Sequence, residues 1–445
     1  MRDSVAVAIE TLSWMEHEHL SERTAFARTS RQLGVADPSR LRIAQMLVLE
    51  TTRRRNLIDH LISDAAGGQL DLNSLQHGPA SFLRVFCYWA KLHRASDRDV
   101  VRMVHAARSV LGWRDLHRTE LILGRILALD LRETAAGLPP GEAPALSLCH
   151  PAWFVSACEL MLGRRGALRL MRRNLEEASS YIRINTLRAS EDACLHALSK
   201  AGIEVRPVED LPLAFKILSS RRAIVRTEPY RKGMVAIQDK ASILAGAVAC
   251  PEQGDLVVDV CAAPGAKTTH LAQLMKNRGS IYAIDSSVSR MSFWSKEISR
   301  LGVEIAQPLL GDATKPLPVR VEADVVVLDP PCSNTGTFWK SPAAKWMVDP
   351  ARVSQLANIQ LAMLENVSRL VREGGTLVYS TCSVLAEENE QVVDRFIRAN
   401  PDFRVADPHP RIGSPGLYGS NKSQRLYPHT HDCNGHFLSR IIRVG

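Results

Sequence analysis

The chain has 445 residues, which is enough for about three domains of ordinary size. Hydrophobic residues make up 45% and charged residues 23%, a balance that is ordinary for a soluble globular protein. The longest apolar runs, such as residues 243–250, are far shorter than the roughly 20 residues that span a bilayer. No apolar signal-peptide segment follows Met1, and the nine cysteines lack the spacing of a secreted disulfide framework. We therefore expect a cytoplasmic protein rather than a secreted or membrane-spanning one.

Basic residues outnumber acidic ones, 56 to 47, which gives a formal net charge of +9. A basic balance favours a polyanionic partner, because neutralising phosphates releases their counterions. Charge alone is a weak indicator, since many basic proteins bind no nucleic acid.

The first ~135 residues have the periodicity of amphipathic helices, with apolar residues at spacings of three and four. Such stretches occupy residues 43–49, 83–90, 100–104 and 121–127. Turn signals separate them, and the Gly- and Pro-rich segment 137–141 predicts a linker. The pattern predicts an all-α N-terminal domain over residues 1–140.

Residues 147–228 show a mixed pattern that predicts a small α+β domain. Residues 181–185 alternate like a half-buried strand, and Ser190 is placed to cap a helix that runs to Ala201. Pairs of arginines occur at 164–165, 172–173 and 221–222. Each pair alone is typical of a solvated surface, but with the overall charge they favour an RNA-facing domain.

Residues 229–445 have the regular pattern of an α/β domain. Short apolar runs at 256–260, 281–284, 325–328 and 376–379 predict strands, and helical stretches at 269–275, 291–301 and 359–370 separate them. This alternation predicts a mostly parallel, doubly wound, Rossmann-like sheet. Ligands bind such sheets at the carboxyl ends of the strands.

A turn of small residues follows the strand 256–260. It lets a ligand approach the backbone, yet it matches neither the phosphate-binding loop nor the dinucleotide fingerprint. Asp285 ends the next strand, where its carboxylate is placed to accept hydrogen bonds from ribose hydroxyls, and Asp312 follows one unit later. Carboxylates would repel phosphates, so the pattern favours a nucleoside cofactor without them. S-adenosylmethionine fits that description.

Two cysteines stand directly after predicted strands, Cys332 in Asp329-Pro-Pro-Cys-Ser and Cys382 in Tyr379-Ser-Thr-Cys-Ser. Parallel strands place both on the same edge of the sheet as the cofactor turn. Most cysteines act as small buried hydrophobic residues, and we expect this of four that lie in helical patterns. These four are Cys87, Cys158, Cys194 and Cys250.

These motifs make the chain resemble the Sun/Fmu family of RNA (cytosine-5)-methyltransferases over roughly residues 147–445. The resemblance is carried by residues 261–268, 329–333, 379–383 and 388–390, with Gly233, residues 235–239 and Ser242 at the entry to the domain. Residues 150–153 and 183–186 are similar to the family's preceding RNA-binding segment. More weakly, residues 54–59 and 118–127 resemble the NusB-like domain of members that modify ribosomal RNA.

The resemblance implies roles for individual residues. Cys382 matches the nucleophile, Cys332 the second cysteine that helps to release the product, and Asp329 the acid that holds the target base. The implied cofactor site consists of Cys261, Ala262, Ala263, Pro264, Gly265, Ala266, Lys267, Asp285, Arg290, Asp312 and Asp329. Ala266, Pro331 and Asn334 depart from the family's usual residues, but none of them removes a catalytic group.

The chemistry of cytosine explains why a cysteine is needed. C5 is a poor nucleophile until a nucleophile adds at C6, and a thiolate both attacks and leaves readily. We expect Lys267 to help activate the thiol and Asp329 to stabilise the charge that develops at N3. The base must leave its stack, so the target is an unpaired or flipped cytosine.

The resemblance leaves several alternatives open. The RNA is expected to be ribosomal, with transfer RNA as the alternative, and the protein is expected to act as a monomer. A DNA methyltransferase would use a Pro-Cys motif like Pro331-Cys332, but it has no need of Thr381-Cys382. A non-catalytic RNA-binding factor would need neither cysteine. His429, His431, Cys433 and His436 resemble metal ligands, but they fall in the stretch from Arg425 that resembles the family's closing strand, ending near 435–437, so no metal is expected.

Overall fold

The computed structural model describes residues 1–68, 70–138 and 141–444. They form two compact units. The first comprises Met1–Glu176 together with Phe338–Met347, and the second comprises residues 177–337 and the chain from Val348 onward. The predicted linker lies partly outside the described residues, at 139–140. The division into domains 1–140, 147–228 and 229–445 stays a prediction.

The first unit is helical, as its periodicity predicted. The buried faces of its helices form one core that includes Ile9, Leu47, Ile58 and Phe82. The prediction of an all-α N-terminal region is confirmed. The helices are α1 Arg2–His17, α2 Glu22–Gln32, α3 Pro38–Arg53, α4 Arg55–Ala65, α5 His77–Cys87, α6 Asp97–Leu111, α7 Trp113–Ala128, α8 Leu131–Ala136, α9 Ala143–Ser147 and α10 Ala152–Arg173.

Phe338–Met347 packs within this helical unit although it follows the Cys332 motif in the chain. The ammonium group of Lys345 is fully buried and donates to the carbonyls of Arg53 and Cys149, at 3.0 Å each. Burial lowers the pKa of Lys345 to about 7. The ring of Phe338 packs edge-on against Phe154 with 4.9 Å between centroids. The sequence pattern did not predict this excursion.

The second unit begins with a small four-stranded antiparallel sheet, in the order β2-β3-β1-β4. Ile182 and Ile184 of β1 pack on Cys194 and Leu198 of α11, whose first turn is capped by the Ser190 hydroxyl. The prediction of a small α+β domain is confirmed. Its elements are β1 Tyr181–Ile184, α11 Glu191–Lys200, β2 Ile203–Pro207, β3 Ala214–Ser220, α12 Glu228–Arg231 and β4 Val235–Ile237.

A nine-stranded sheet dominates the rest of the second unit. Five parallel strands lie in the order β7-β6-β5-β8-β9. From β5 the chain first adds β6 and β7 on one side, and then β8 and β9 on the other, so the strand order reverses at β5. Antiparallel β13 continues the sheet beside β9. The elements are α13 Lys240–Ala249, β5 Leu256–Val260, α14 Ala266–Leu274, β6 Ser280–Asp285, α15 Val288–Leu301, β7 Ala306–Leu310, β8 Ala323–Leu328, α16 Pro350–Ser368, β9 Val371–Thr381, α17 Glu390–Ala399, β10 Phe403–Ala406, β11 Ser414–Pro415, β12 Gln424–Leu426, α18 Pro428–His431 and β13 His436–Arg443.

The C-terminal strands are where the expectation of a mostly parallel sheet needs correction. The Rossmann-like fold is confirmed, but β10 to β13 are all paired antiparallel. The closing strand was expected to end near 435–437, whereas β13 begins at His436 and runs to Arg443. Polar residues interrupt the apolar ones in these antiparallel strands, so they lack the continuous apolar runs by which buried parallel strands are identified.

A fully buried ion pair links α17 to β12. The guanidinium group of Arg425 donates to both carboxylate oxygens of Glu390, at 2.6 Å for Nε, and its side chain is 1% exposed. Arg425 also donates to the carbonyl of Val384, just beyond the Cys382 motif. The pair therefore ties the C-terminal strands to the loop that carries Cys382.

We expect Glu390→Ala to lower the free energy of unfolding by about 3–5 kcal/mol, because it leaves the Arg425 charge buried without its partner. Chemical denaturation measures the change. Glu387→Ala is the matched control, since Glu387 is exposed on the same segment, and its effect should stay within about 0.5 kcal/mol. Equal unfolding midpoints for the two variants would show that the pair contributes little.

Candidate active site

The residues predicted to form the site follow parallel strands. The turn 261–265 comes after β5, Asp285 ends β6, Asp329 comes after β8, and Cys382 comes after β9. All four strands run in the same direction, so these residues meet at one edge of the sheet, around the reversal at β5.

The turn after β5 has a backbone that requires small residues. Gly265 has φ +109°, and a Cβ on it would lie 3.2 Å from Cδ1 of Trp294. Helix α14 starts at the next residue, so its first backbone N–H groups have no helical partner. Ala262 and Ala263 are buried beside them. The turn thus forms a close-approach surface for a ligand, which fits the predicted cofactor site.

Asp285 and Arg290 hold this turn in place. Asp285 is 2% exposed, and its carboxylate accepts hydrogen bonds from the N–H groups of Ala263 at 3.2 Å and Ser287 at 3.0 Å. Arg290 lies 3.5 Å from that carboxylate and donates to the carbonyl of Ala263. Both predicted residues therefore contact the turn directly.

Asp312 follows β7 and has a different environment. Its exposed carboxylate accepts hydrogen bonds from the side chain of Thr314 at 2.7 Å and from its N–H at 3.0 Å. These bonds, the side-chain one first, lower the pKa of Asp312. It is an ionised acceptor at neutral pH.

Lys267 and Asp329 form an ion pair beside the cysteines. The Lys267 side chain is 8% exposed, and its ammonium group donates to the carboxylate of Asp329. Burial acts to lower the pKa of Lys267, but the carboxylates of Asp329 and Asp259 raise it overall. Lys267 therefore stays protonated at neutral pH. That it activates Cys382 stays a prediction.

Asp259 is a buried acid that the sequence analysis missed, because it lies within the apolar run of β5. It accepts a hydrogen bond from Thr268 at 2.6 Å, and burial raises its pKa to about 6. It stands beneath the turn and the Lys267 ammonium, so it adds negative charge behind the pair.

The two cysteines of the motifs face each other, with 3.0 Å between their sulfur atoms. The hydrogen bond with Cys382 is the largest cause that raises the pKa of Cys332 well above its usual range, and burial adds to it. Cys332 is therefore a thiol at neutral pH.

Asn334 contacts the other sulfur. The Cys382 thiol lies 2.9 Å from Oδ1 of Asn334, and the Asn334 amide donates to the carbonyl of Cys332 at 3.2 Å. Asn334 has φ +58°, a conformation that asparagine tolerates better than most residues. The departure at Asn334 noted in the sequence thus adds a polar contact to the site in a backbone conformation that asparagine tolerates.

A buried network joins the two cysteine loops. Glu388 accepts hydrogen bonds from the N–H of Ser333 at 2.8 Å, from the Ser333 hydroxyl at 2.5 Å and from Gln360 at 3.0 Å. The hydroxyl of Tyr379 donates to the Glu388 carbonyl at 2.6 Å. The Glu388-Asn389-Glu390 motif was quoted for the resemblance, but its structural role was not predicted.

Of the cysteines expected in the core, three are buried and one is not. Cys87, Cys158 and Cys194 are buried, whereas Cys250 is exposed. The prediction for Cys250 was wrong because this residue ends α13 in a left-handed conformation, with φ +46°, rather than continuing the helix. Its apolar neighbours in the sequence belong to the helix and not to the turn.

The C-terminal histidines occupy structural positions. Nδ1 of His431 accepts a hydrogen bond from the N–H of Tyr427 at 2.9 Å, and Asp432 accepts from Ser179 and Lys216 of the small domain. Within residues 1–68, 70–138 and 141–444, no group of three or more His, Cys, Asp or Glu side chains is arranged to hold a metal ion. No described helix is long and apolar enough to cross a bilayer.

His436 is a histidine that lies near the Lys267–Asp329 pair. It is buried, and burial lowers its pKa to about 4, with the charge of Lys267 acting in the same direction. Its Nε2 has no hydrogen-bond partner among the described residues. His436 is therefore neutral at physiological pH beside the Lys267–Asp329 pair.

Comparison with known proteins places this site in a family. The family model described as 16S rRNA methyltransferase RsmB/F matches residues 247–442, and the RsmF/B-like ferredoxin-like domain matches residues 150–223. A probable ribosomal RNA small subunit methyltransferase B of Synechocystis is 31% identical over 299 residues, 66% of this chain and 67% of that one. The chain belongs to the RsmB/F family of S-adenosylmethionine-dependent RNA methyltransferases.

Other RsmB/F relatives match shorter stretches. A probable ribosomal RNA small subunit methyltransferase B of Bacillus subtilis is 34% identical over 59% of either chain. A tRNA (cytosine(72)-C(5))-methyltransferase of Pyrococcus horikoshii is 37% identical over 48% of this chain and 54% of its own. The alignments thus span between about half and two thirds of these relatives' lengths.

Solved structures extend the likeness to the fold. The crystal structure of PH0851 matches with a TM-score of 0.83 and 28% identity, over 99% of this chain and 98% of that one. NSun6 from Pyrococcus horikoshii, crystallised with the S-adenosylmethionine analogue SFG, matches with a TM-score of 0.62 and 25% identity, over 66% of this chain and 98% of its own. S-adenosylmethionine is the cofactor of this RsmB/F chain.

Proposed function

We propose that the protein methylates C5 of a cytosine in RNA through a covalent bond between Cys382 and C6. The observation that supports it best is the pair of cysteines 3.0 Å apart, at the ends of β8 and β9 beside the Lys267–Asp329 pair. A binding protein without chemistry has no use for two facing thiols with a buried cation and a carboxylate at the same edge.

The residues around the turn fit S-adenosylmethionine. Gly265 and the alanines leave room for the methionine end, the start of α14 offers N–H donors, and Asp285 and Asp312 offer acceptors to ribose hydroxyls. No phosphate-binding loop is present in this turn, in keeping with a cofactor that carries none. When bound, this cofactor supplies the methyl group that C5 accepts.

Each catalytic residue has one task in this proposal. The Cys382 sulfur adds to C6 and pushes electron density onto C5. The Lys267–Asp329 pair holds the base at N3, and a proton from this pair passes to N3 and neutralises the negative charge that develops there. The Cys332 sulfur lies 3.0 Å from that of Cys382, so its thiol can donate a hydrogen bond to the Cys382 sulfur as Cys382 leaves, after the C5 proton has passed to water. The lowered pKa of His436 keeps a second cation from competing for Asp329.

The substrate class is proposed from the relatives. Two of them are described as ribosomal RNA small subunit methyltransferases and one as a tRNA methyltransferase, so ribosomal RNA is the first choice and transfer RNA the second. The Cys382 sulfur must reach C6 from above the plane of the base, so the cytosine is unpaired or flipped out.

The decisive experiment incubates the full chain with S-adenosylmethionine and, separately, small-subunit ribosomal RNA, transfer RNA and DNA of matched length. Bisulfite sequencing then identifies protected cytosines. We expect one protected cytosine in ribosomal RNA. Protection in transfer RNA alone would assign the second substrate class, and methyl transfer only to DNA, or to none of the three, would contradict the proposal.

We expect Asp285→Ala and Asp312→Ala each to weaken S-adenosylmethionine binding by about 1–3 kcal/mol, since hydroxyl donors of the ligand lose their acceptor. Isothermal titration of the full chain measures this. Asp394→Ala, an exposed change on α17, is the control and should leave affinity unchanged. Wild-type affinity in both site variants would place the cofactor elsewhere.

A further inference from the structure

The strand β1 of the small domain's sheet is covered on both faces. On one face, Ile182 and Ile184 pack against α11. On the other, the fully buried Arg183 donates to Gln238 at 2.9 Å, to Thr269 at 3.0 Å and to Gln273, the last two on α14 of the catalytic domain. The β1 part of this sheet is therefore closed to RNA.

A basic cleft lies at one side of the same domain, with a volume of about 670 Å³. Six cations line it, at the end of α11, in the segment after β3 and around α12: Lys200, Arg221, Arg222, Arg226, Arg231 and Lys232. All six are exposed. Of the three arginine pairs noted in the sequence, Arg221–Arg222 is the one in this unit, because the other two belong to α10 of the first unit.

The charge of the cleft is nearly uncompensated. Among the described lining residues Glu228 is the one carboxylate, and it pairs with Lys232 at 2.6 Å. The hydrogen bond from Lys232 is the main cause that lowers the pKa of Glu228, and the charges of Lys200 and Arg231 add to it. Among the described residues, the other five cations make no ion pair. Like charges held this close repel one another, so an anion that fills the cleft is stabilised.

The chemistry of the lining points to phosphates rather than bases. Phe, Tyr and Trp are absent from the described lining residues, so bases find no aromatic ring on which to stack. Arginine forks bind phosphate oxygens in pairs, and such contacts position a nucleic acid without reading its sequence.

We propose that this cleft, formed by the end of α11, residues 221–226 and α12, binds the phosphate backbone of the substrate RNA. The inference rests on the proposed function for the identity of the polyanion. It assigns the small domain's contribution to RNA binding to this cleft.

The test compares two double variants of the full chain, Arg221→Glu/Arg222→Glu in the cleft and Arg404→Glu/Lys422→Glu as a control. Both remove two exposed cations of the second unit and add two carboxylates. Filter binding with a small-subunit ribosomal RNA fragment measures Kd at several salt concentrations. We expect the cleft variant to raise Kd at least about tenfold and to flatten the dependence of log Kd on log salt by roughly 1–2.

Measurements of turnover distinguish a failure of this proposal from a failure of the proposed function. At saturating RNA, kcat of the cleft variant should stay within about twofold of the wild type, and thermal unfolding midpoints should match. Equal Kd values for the cleft variant and the control would overturn the proposal that the cleft binds RNA. Methylation by the wild type would in that case still support the proposed function. If the wild type methylates no RNA, the function fails, yet the Kd values still decide whether the cleft binds RNA.

If the charge-reversed variant unfolds, the neutral double variant Lys200→Gln/Arg226→Gln takes its place, against Arg404→Gln/Lys422→Gln. We expect a rise in Kd of at least about threefold for the cleft pair and none for the control. No difference between the neutral pairs would also overturn the proposal.

Discussion

Cys382→Ala is expected to abolish methyl transfer, and Cys332→Ala is expected to trap the protein on its RNA. Removing a nucleophile costs roughly 10⁴-fold or more in rate, so the first variant should form neither product nor adduct. The second keeps the attacking sulfur but loses the thiol that lies 3.0 Å from it, so elimination slows after the methyl group has moved. Denaturing gel electrophoresis with S-adenosylmethionine present should show a protein–RNA band for Cys332→Ala only.

The control for this pair is Cys250→Ala, because Cys250 is exposed and lies at the end of α13, outside the site. It should keep wild-type turnover and give no trapped band. A trapped band from Cys382→Ala and none from Cys332→Ala would exchange the two roles. If both variants kept near-normal activity without any adduct, the covalent mechanism would be wrong.

The edge of the sheet that carries these residues could be predicted from sequence for a simple geometric reason. Parallel strands that are buried on both faces leave apolar runs, and their carboxyl ends meet at one edge. Residues placed directly after such runs, like Asp329 and Cys382, therefore come together whatever the intervening chain does. The strand bounds at 256–260 were predicted as the structure has them.

Contacts that hold the loops in position could not be predicted in this way. Asn334 and Cys382 are 48 positions apart in the chain, and Ser333 and Glu388 are 55 apart, so no local periodicity connects them. The placement of Phe338–Met347 in the helical unit could not be predicted for the same reason. It depends on hydrogen bonds from the buried Lys345 to two carbonyls that are distant in the chain. These features are products of packing between distant segments.

The Lys267–Asp329 pair is a contact between distant segments that sequence did not predict and that affects the proposed function. Sequence alone placed both residues near the cofactor turn, and each was assigned a separate task. The structure joins them, because the Lys267 ammonium is buried and its charge requires the Asp329 carboxylate as a partner. In our proposal this charge keeps Asp329 oriented towards the base, so the two residues bind the base together.

Asp329→Asn is therefore expected to lower kcat/KM by about 10²- to 10⁴-fold, because an amide cannot pass a proton to N3 although it keeps the shape of the side chain. Single-turnover methylation measures the chemical step, and Asp324→Asn is the control. Asp324 lies near the other end of β8, where it pairs with Arg372 at 2.6 Å, so the same substitution there should change turnover by less than about threefold. A rate within about threefold of wild type for Asp329→Asn would remove Asp329 from the chemistry. A large loss of methylation rate that saturating S-adenosylmethionine reverses would instead show that Asp329 acts only in binding the cofactor.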